Sequence, residues 1–191
     1  MKAYFTASLR NKDVYLAYYT RIVKIMEESG YKVMSGDVLV PGAEERVRSQ
    51  TQAERKEAFK KLNIKLKSAD LVVAEISTPS ISVGYEITHA LEMNKPVIVL
   101  HTPGNGAVML EGMQDEKLQV VEYSKDNLDD KIKKALIEAQ NTIDVRFNFF
   151  VSPKILNYLD WVAKEKRIPR SVFLRDLIEK EMKKDKKTRN E

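Results

Sequence analysis

The sequence predicts an α/β protein: a three-layer domain on a five-stranded, mainly parallel sheet, followed by a small module of different character. Three observations carry this. Short apolar runs alternate with stretches of helical spacing as far as residue 140. One of those runs, LVVAEI at 71–76, is almost continuously apolar, as a strand covered on both faces should be. The charge also divides. Residues 1–141 hold 20 Lys+Arg and 20 Asp+Glu, whereas 142–191 hold 13 and 8 and carry the whole net charge of +5.

In order, KAYFTAS at 2–8 reads as a strand, and residues 13–30 as a helix stopped by Gly30. YKVMSGDV at 31–38 is the second strand, and 40–49, with Pro41 and Gly42, reads as a loop. A helix over 51–67 leads to the third strand at 70–76, and a helix over 83–94 to the fourth at 95–101. PGNGAVMLEG is a loop or broken helix, LQVVEY at 118–123 the fifth strand, and 127–140 the closing helix. Right-handed crossovers and short links give a flavodoxin-like (Rossmann-like) strand order of 2-1-3-4-5.

At 191 residues, 43% apolar and 32% charged, the chain has the composition of a soluble globular protein with one ordinary domain and a small one. No apolar run approaches the ~18–20 residues of a membrane helix, so no membrane partner is expected. MKAYFTASLR enters a strand pattern without a signal-peptide core. With no Cys there is no disulfide framework and no thiolate chemistry, and the expected compartment is the cytoplasm.

In an open α/β sheet, ligands bind beyond the carboxyl ends of the strands where the strand order reverses, here between strands 1 and 3. Two segments meet there: residues 6–10 and STPSISVGYE at 77–86. The SVG turn places amides at a helix N-terminus, which favours an anion. Ser77, Ser80 and Ser82 add hydroxyls, and Arg10 could add a charge. Glu86, read as lying in the first helical turn, could act as a nucleophile or ion-pair stabiliser toward an oxocarbenium-like sugar carbon. The same residues also suit capping and turn roles, with Glu86 complementing the helix dipole, and spacing leaves both readings open.

YFTASLR and ADLVVAEISTPSISVGYEITHAL are similar to the nucleoside 2-deoxyribosyltransferase superfamily, above all its branch of 2'-deoxynucleoside 5'-phosphate N-hydrolases. The resemblance runs over about residues 2–140 and is most specific in 3–10 and 69–100. It implies an N-glycosidase or deoxyribosyltransferase that takes a nucleoside or nucleotide and needs no cofactor. Glu86 matches the catalytic glutamate acting at C1', and Tyr4 the tyrosine that contacts it. Ser8, Arg10, Ser80 and Gly84 match positions around the sugar and 5'-phosphate. The family's acid in the helix before strand 3 is replaced by Leu62 and Asn63, a phosphate-binding histidine by Asp37, and a serine given by a neighbouring subunit by Ala107. Asp37 and Asn63 thus stand as altered substrate-binding candidates. The two histidines, His89 and His101, have no ligand-spaced partners, so no metal is expected.

From 145 the pattern changes. VRFNFFV alternates Val145, Phe147, Phe149 and Val151 against Arg146, Asn148 and Phe150. Pro153 opens a helix carrying Ile155, Leu156, Leu159, Trp161 and Val162, and a second helix after Pro169 carries Phe173, Leu174, Leu177, Ile178 and Met182. A lone strand and two helices cannot bury these side chains, so pairing with a second copy is expected. The layout resembles the ribbon-helix-helix family, which implies that Arg146, Asn148 and Phe150 face base edges and that Arg170 and Ser171 clamp a phosphate. A dimerisation module with a solvated basic face is the plainer reading.

The expected organisation is a deoxyribosyltransferase-like domain at 1–141, a ribbon-helix-helix module at 142–185 and a disordered tail at 186–191. Two functions compete. One is an enzyme using Glu86, with a DNA-binding tail that makes a homodimer or higher even oligomer. The other is a nucleotide-sensing DNA-binding regulator with weak or no catalysis.

Overall fold

The computed structural model describes residues 1–106, 108–113, 115–142, 149–166 and 168–188, in two compact units, Met1–Asp144 and Val145–Glu191. In the first unit, β1 (Lys2–Ala7) leads through α1 (Lys12–Glu28) to β2 (Lys32–Met34). Helices α2 (Ala43–Arg48) and α3 (Gln52–Ser68) precede β3 (Leu71–Glu75). Then follow α4 (Ile81–Glu92), β4 (Val97–His101), α5 (Val108–Glu111), β5 (Leu118–Glu122) and α6 (Leu128–Thr142). The sheet order is β2-β1-β3-β4-β5, as expected, and all four pairings are parallel.

Period-two alternation sorts the strands into two cores. Ala3, Phe5, Leu71, Val73, Ile98 and Leu100 pack with Tyr19, Ile22 and Met26 of α1 and Ile132 and Leu136 of α6. Tyr4, Val72, Ala74, Val97 and Val99 pack with Leu66 of α3 and Val83, Ile87 and Ala90 of α4. Each Val, Leu, Ile, Phe or Met among them contributes about 1.5–3 kcal/mol on burial, so a one-residue slip in any central strand would exchange the cores and lose both. Helix α3 is fixed at its start by a capping box, Thr51 with Glu54. Helix α1 gives way to Gly30 at φ 86°, a left-handed conformation that glycine adopts without strain.

Three boundaries differ from expectation. The second strand, expected over 31–38, is only Lys32–Met34, because Gly36 at φ 56° turns the chain out of the extended conformation. Residues 43–48 form a short helix rather than loop, entered from Gly42 at φ 67° and carrying a Glu44–Arg48 pair one turn apart. Six residues are too few for a periodic signal. Helix α4 starts at Ile81, two residues early, because Ser80 is its N-cap. Ser82, Val83 and Gly84 are therefore inside the first turn, and Glu86 lies in the second.

The second unit contains α7 (Pro153–Lys166) and α8 (Arg170–Thr188), which continues into the segment expected as a tail. Leu159 and Val162 are buried, and Tyr158 lies against Trp161 and Phe173. Ile155, Leu156, Trp161, Leu177, Ile178 and Met182, expected to pack, are exposed. Two helices present more apolar surface than their mutual contact covers. The expected strand falls mostly outside the described residues, and its described end, 149–151, is neither helix nor strand. Among the described residues no helix is long and apolar enough to cross a membrane.

Candidate active site

A cleft of about 750 Å³ opens at the carboxyl ends of β1 and β3. Its floor comprises Tyr4 and Thr6 of β1 and Glu86 of α4, and its walls come from the loop after β2, the end of α2 and one face of α3. Lys12 ties that loop down by donating to the Val40 carbonyl at 2.6 Å. Gly36, in the loop at φ 56°, supplies the left-handed turn that brings backbone over the floor. A Cβ at Gly36 would lie 3.7 Å from the Tyr4 hydroxyl and 3.9 Å from the Lys65 ammonium, so both groups converge on this one point.

Glu86 is 8% exposed, and its Oε2 has no hydrogen-bond partner. The helix places it there because Val83, Ile87 and Ala90 on the same face are held in the core. Burial pushes the carboxyl above the usual glutamate range, while the hydroxyls of Thr6 and Tyr4 and the charge of Lys65 pull against it. Burial, with the neighbouring Glu86 charge, drives the Tyr4 phenol well above its ordinary value, so it stays protonated and able to donate.

Beside this floor a second hollow of about 690 Å³ is lined by Ser8, Arg10, Arg48, Ser80 and Ser82, among others. Ser8 is buried, and its Oγ accepts from the Arg10 amide at 3.2 Å. Ser80 accepts weakly from the Val83 amide at 3.5 Å, and the amides of the α4 first turn are those a helix leaves without internal partners. Gly84 lies within α4, with open space where a Cβ would stand.

Other expected groups are already engaged. The Ser77 hydroxyl donates to the Glu75 carboxylate and accepts from the Thr102 amide at 2.8 Å, so it is not available to a ligand. Asp37 lines the cleft but pairs with Arg46 at 2.6 Å. Asn63 does not line the cleft: its Oδ1 lies 3.0 Å from His89 Nε2. His89 also stacks on Tyr85 at 5.3 Å between ring centroids. His101 is buried, its Nδ1 3.1 Å from the Thr102 carbonyl. Among the described residues no cluster of His, Asp and Glu could hold a metal. Of the tail positions, Phe150 and Ser171 are exposed, and Arg170 pairs with Asp160. Ala107, Arg146 and Asn148 lie outside the described residues.

The sequence reading put Thr6 in the crevice segment without giving it a role, and it missed Lys65, Arg46 and Arg48. Thr6 stands two residues from Tyr4 and so on the same strand face, which was a usable signal. Lys65 lies within KKLNIKLK, where nothing distinguishes one lysine from the next. The two arginines lie in the helix read as loop.

The family model for nucleoside 2-deoxyribosyltransferase matches residues 3–141. A Thermofilum pendens protein named "Putative 2'-deoxynucleoside 5'-phosphate N-hydrolase 1" is 30% identical over 149 residues, 76% of this chain and 100% of that protein. The 5-hydroxymethyl-dUMP N-hydrolase of Mus musculus is 35% identical over 135 residues, 66% of this chain and 74% of that protein. Among solved structures, the CMP N-glycosidase of Clostridium botulinum matches at TM-score 0.47 and 19% identity, covering 71% of this chain and 98% of that one.

Proposed function

Since the chain belongs to the nucleoside 2-deoxyribosyltransferase family, we propose that it cleaves the N-glycosidic bond of a 2'-deoxynucleoside 5'-monophosphate with Glu86 as nucleophile. One observation carries the assignment of Glu86: a carboxylate 8% exposed, with Oε2 unbonded, facing a cleft at the β1/β3 switch point. An unsatisfied buried carboxylate oxygen costs about 1–3 kcal/mol or more; Glu75 Oε2 is unbonded too, so the position at the cleft is what singles out Glu86.

In this reading Glu86 attacks C1' as the bond to the base nitrogen breaks, and the bonding electron pair leaves with the base. Tyr4, held protonated, orients the carboxylate with Thr6. Water then attacks C1', releasing the sugar phosphate and regenerating Glu86. The α4 first-turn amides, Ser80, Ser8 and Arg10 hold the 5'-phosphate, with Gly84 leaving the approach open. Asp37, paired with Arg46, shapes the wall rather than presenting a bare negative charge. Free-base release from dAMP, dGMP, dCMP and dUMP and their nucleosides, followed by chromatography, tests this. Turnover that Glu86→Ala abolishes supports it. No base from any substrate, or a Glu86→Ala variant equal to wild type, sinks it.

For the tail we propose a ribbon-helix-helix module that pairs two copies of the chain and binds DNA. The support is the basic composition of 142–191 and the exposed apolar faces of α7 and α8. Arg146, Asn148 and Phe150 would read base edges. Ser171 and the amides at the start of α8 would hold a phosphate, with Arg170 shared between that role and Asp160. Arg146→Ala with Asn148→Ala should weaken binding to a labelled duplex at least tenfold; unchanged binding would remove groove reading. The regulator reading is favoured by the Asp37–Arg46 pair, which closes one polar site in the cleft, and it predicts nucleotide binding without base release.

A further inference from the structure

Breaking a C1'–N bond leaves an electron pair on the departing base, and that base needs a proton to be a good leaving group. Glu86 cannot supply one while acting as the nucleophile. The remaining acids of the cleft are poorly suited. Glu54 is held by the Thr51 amide and hydroxyl at the start of α3. Asp37 is paired with Arg46. Glu57 is exposed at the wall. The Tyr4 phenol is pushed up by burial and faces Glu86. Among the cations, Arg46 is paired, while Arg55 and Lys61 are exposed.

Lys65 differs from all of these. It lies on α3 one turn beyond Lys61 toward the cleft floor, directly before the fully buried Leu66, and it is half-buried. Its ammonium converges on Gly36 together with the Tyr4 hydroxyl, and its charge acts on Glu86. Among the described residues its ammonium has no hydrogen-bond or ion-pair partner, although its carbonyl accepts from Ser68 and Ala69. A half-buried cation with three undirected donors thus faces a buried carboxylate whose Oε2 is also unbonded. Both line the cleft, and no hydrogen bond or ion pair joins them.

We infer that Lys65 is a catalytic residue of this site, giving its proton to the departing base. The inference rests on Glu86 being the nucleophile. As the C1'–N bond breaks, a ring nitrogen or carbonyl oxygen of the base takes one proton from the ammonium and the base leaves neutral. Glu86 forms the C1'–O bond, and Lys65 becomes a neutral amine. In the second half, that amine takes a proton from the attacking water, hydroxide adds to C1' and the Glu86 carboxylate departs. Both side chains return to their starting states with no other reactant than water. The cleft then suits bases that carry an acceptor atom near the glycosidic nitrogen, and it needs no second carboxylic acid.

The test compares Lys65→Met and Lys65→Arg on two substrates that share one sugar phosphate: the deoxynucleoside monophosphates above, and 4-nitrophenyl 2-deoxyriboside 5-phosphate, whose nitrophenolate leaves without a proton. Lys65→Met should lose about 10²-fold or more in kcat on the nucleotide and less than about tenfold on the nitrophenyl substrate. Lys65→Arg should lose as much as Lys65→Met, because a guanidinium keeps its proton. Equal losses on both substrates, or nucleotide turnover restored by arginine, would overturn the inference and leave Glu86 in place. If Glu86→Ala still releases nitrophenolate at the wild-type rate, the nucleophile reading fails and Lys65 with it. Should Lys65→Met fail to fold, Lys65→Arg, which keeps charge and length, carries the comparison.

Discussion

Glu75, at the end of β3, is completely buried on the face of the sheet that packs against α1 and α6. Glu86, in α4, is nearly as buried and lies with the opposite face, beside Tyr4. Burial raises both carboxyls above the ordinary range. The two differ in what surrounds them. Glu75 Oε1 accepts from the Ser77 amide at 3.1 Å, from the Ser77 hydroxyl and from the Tyr123 hydroxyl at 3.0 Å. Those bonds tie the end of β3 to the turn before α4, and Ser77 carries the tie on to Thr102 after β4. Glu86 has the hydroxyls of Thr6 and Tyr4 beside it and lines the cleft, and each carboxylate keeps one oxygen, Oε2, without a partner. Burial and a raised pKa are therefore common to a structural carboxylate and a candidate nucleophile. So is an unpartnered Oε2, which both carboxylates have; what separates them is that Glu86 lines a cleft and Glu75 does not.

Exchanging the losses is the harshest way to break this comparison. Glu86→Gln should lower base release by ~10³-fold or more and leave thermal unfolding near wild type. Glu75→Ala should do the reverse, costing about 2–4 kcal/mol of stability through stranded Ser77 and Tyr123 hydroxyls, with turnover per folded molecule largely kept. Steady-state rates beside urea unfolding separate the two. An inactive but fully stable Glu75→Ala protein would make Glu75 part of the chemistry.

The pH dependence of stability is a smaller effect. For a carboxyl whose folded pKa is raised, the folded state binds more protons than the unfolded state between the ordinary value of 4.5 and the raised one. Stability contributed by Glu75 is thus full below 4.5 and declines as pH climbs through its folded pKa. Glu86 acts with the same sign, whereas the lowered Asp129, paired with Arg21, loses its contribution as pH falls below the ordinary range. Melting temperatures from pH 4.5 to 7 should fall in wild type, and Glu75→Gln should flatten the slope. An unchanged slope would mean that Glu75 does not titrate differently in the two states.

The sheet order and both core faces were legible because they follow from apolar runs and from links too short for other topologies. STPSISVGYE was legible as a candidate site because a switch point must lie after β3 and the resemblance gave Glu86 a role. Which hydroxyls serve the ligand was not legible. Ser77 and Ser80 are three residues apart in the same run, yet one is turned inward by Glu75 and Thr102 while the other caps α4. That choice is made by a strand distant in sequence. Lys65 was hidden for a related reason: its significance depends on Gly36 and Glu86, far from it along the chain. In the tail, the apolar count was readable, but whether those side chains pack within one chain was not. Trp161, Leu177 and Ile178 are exposed because two helices have only each other to cover.

The two serines offer the finest sharpening. Ser77→Ala removes the partner of a buried carboxylate and of the Thr102 amide, so about 1–3 kcal/mol of stability should go, with KM for a nucleotide little changed. Ser80→Ala removes a cap whose bond is already long at 3.5 Å, so the stability cost should fall below the usual ~1 kcal/mol of an N-cap. Its effect should instead appear as a higher KM for a 5'-monophosphate, with none for the corresponding nucleoside, if the phosphate is held at the α4 N-terminus as proposed. Paired nucleotide and nucleoside kinetics read this directly. An equal KM change on both substrates would mean that Ser80 acts through the helix rather than on the phosphate, and Ser80 would then belong with Ser77 on the structural side of the comparison.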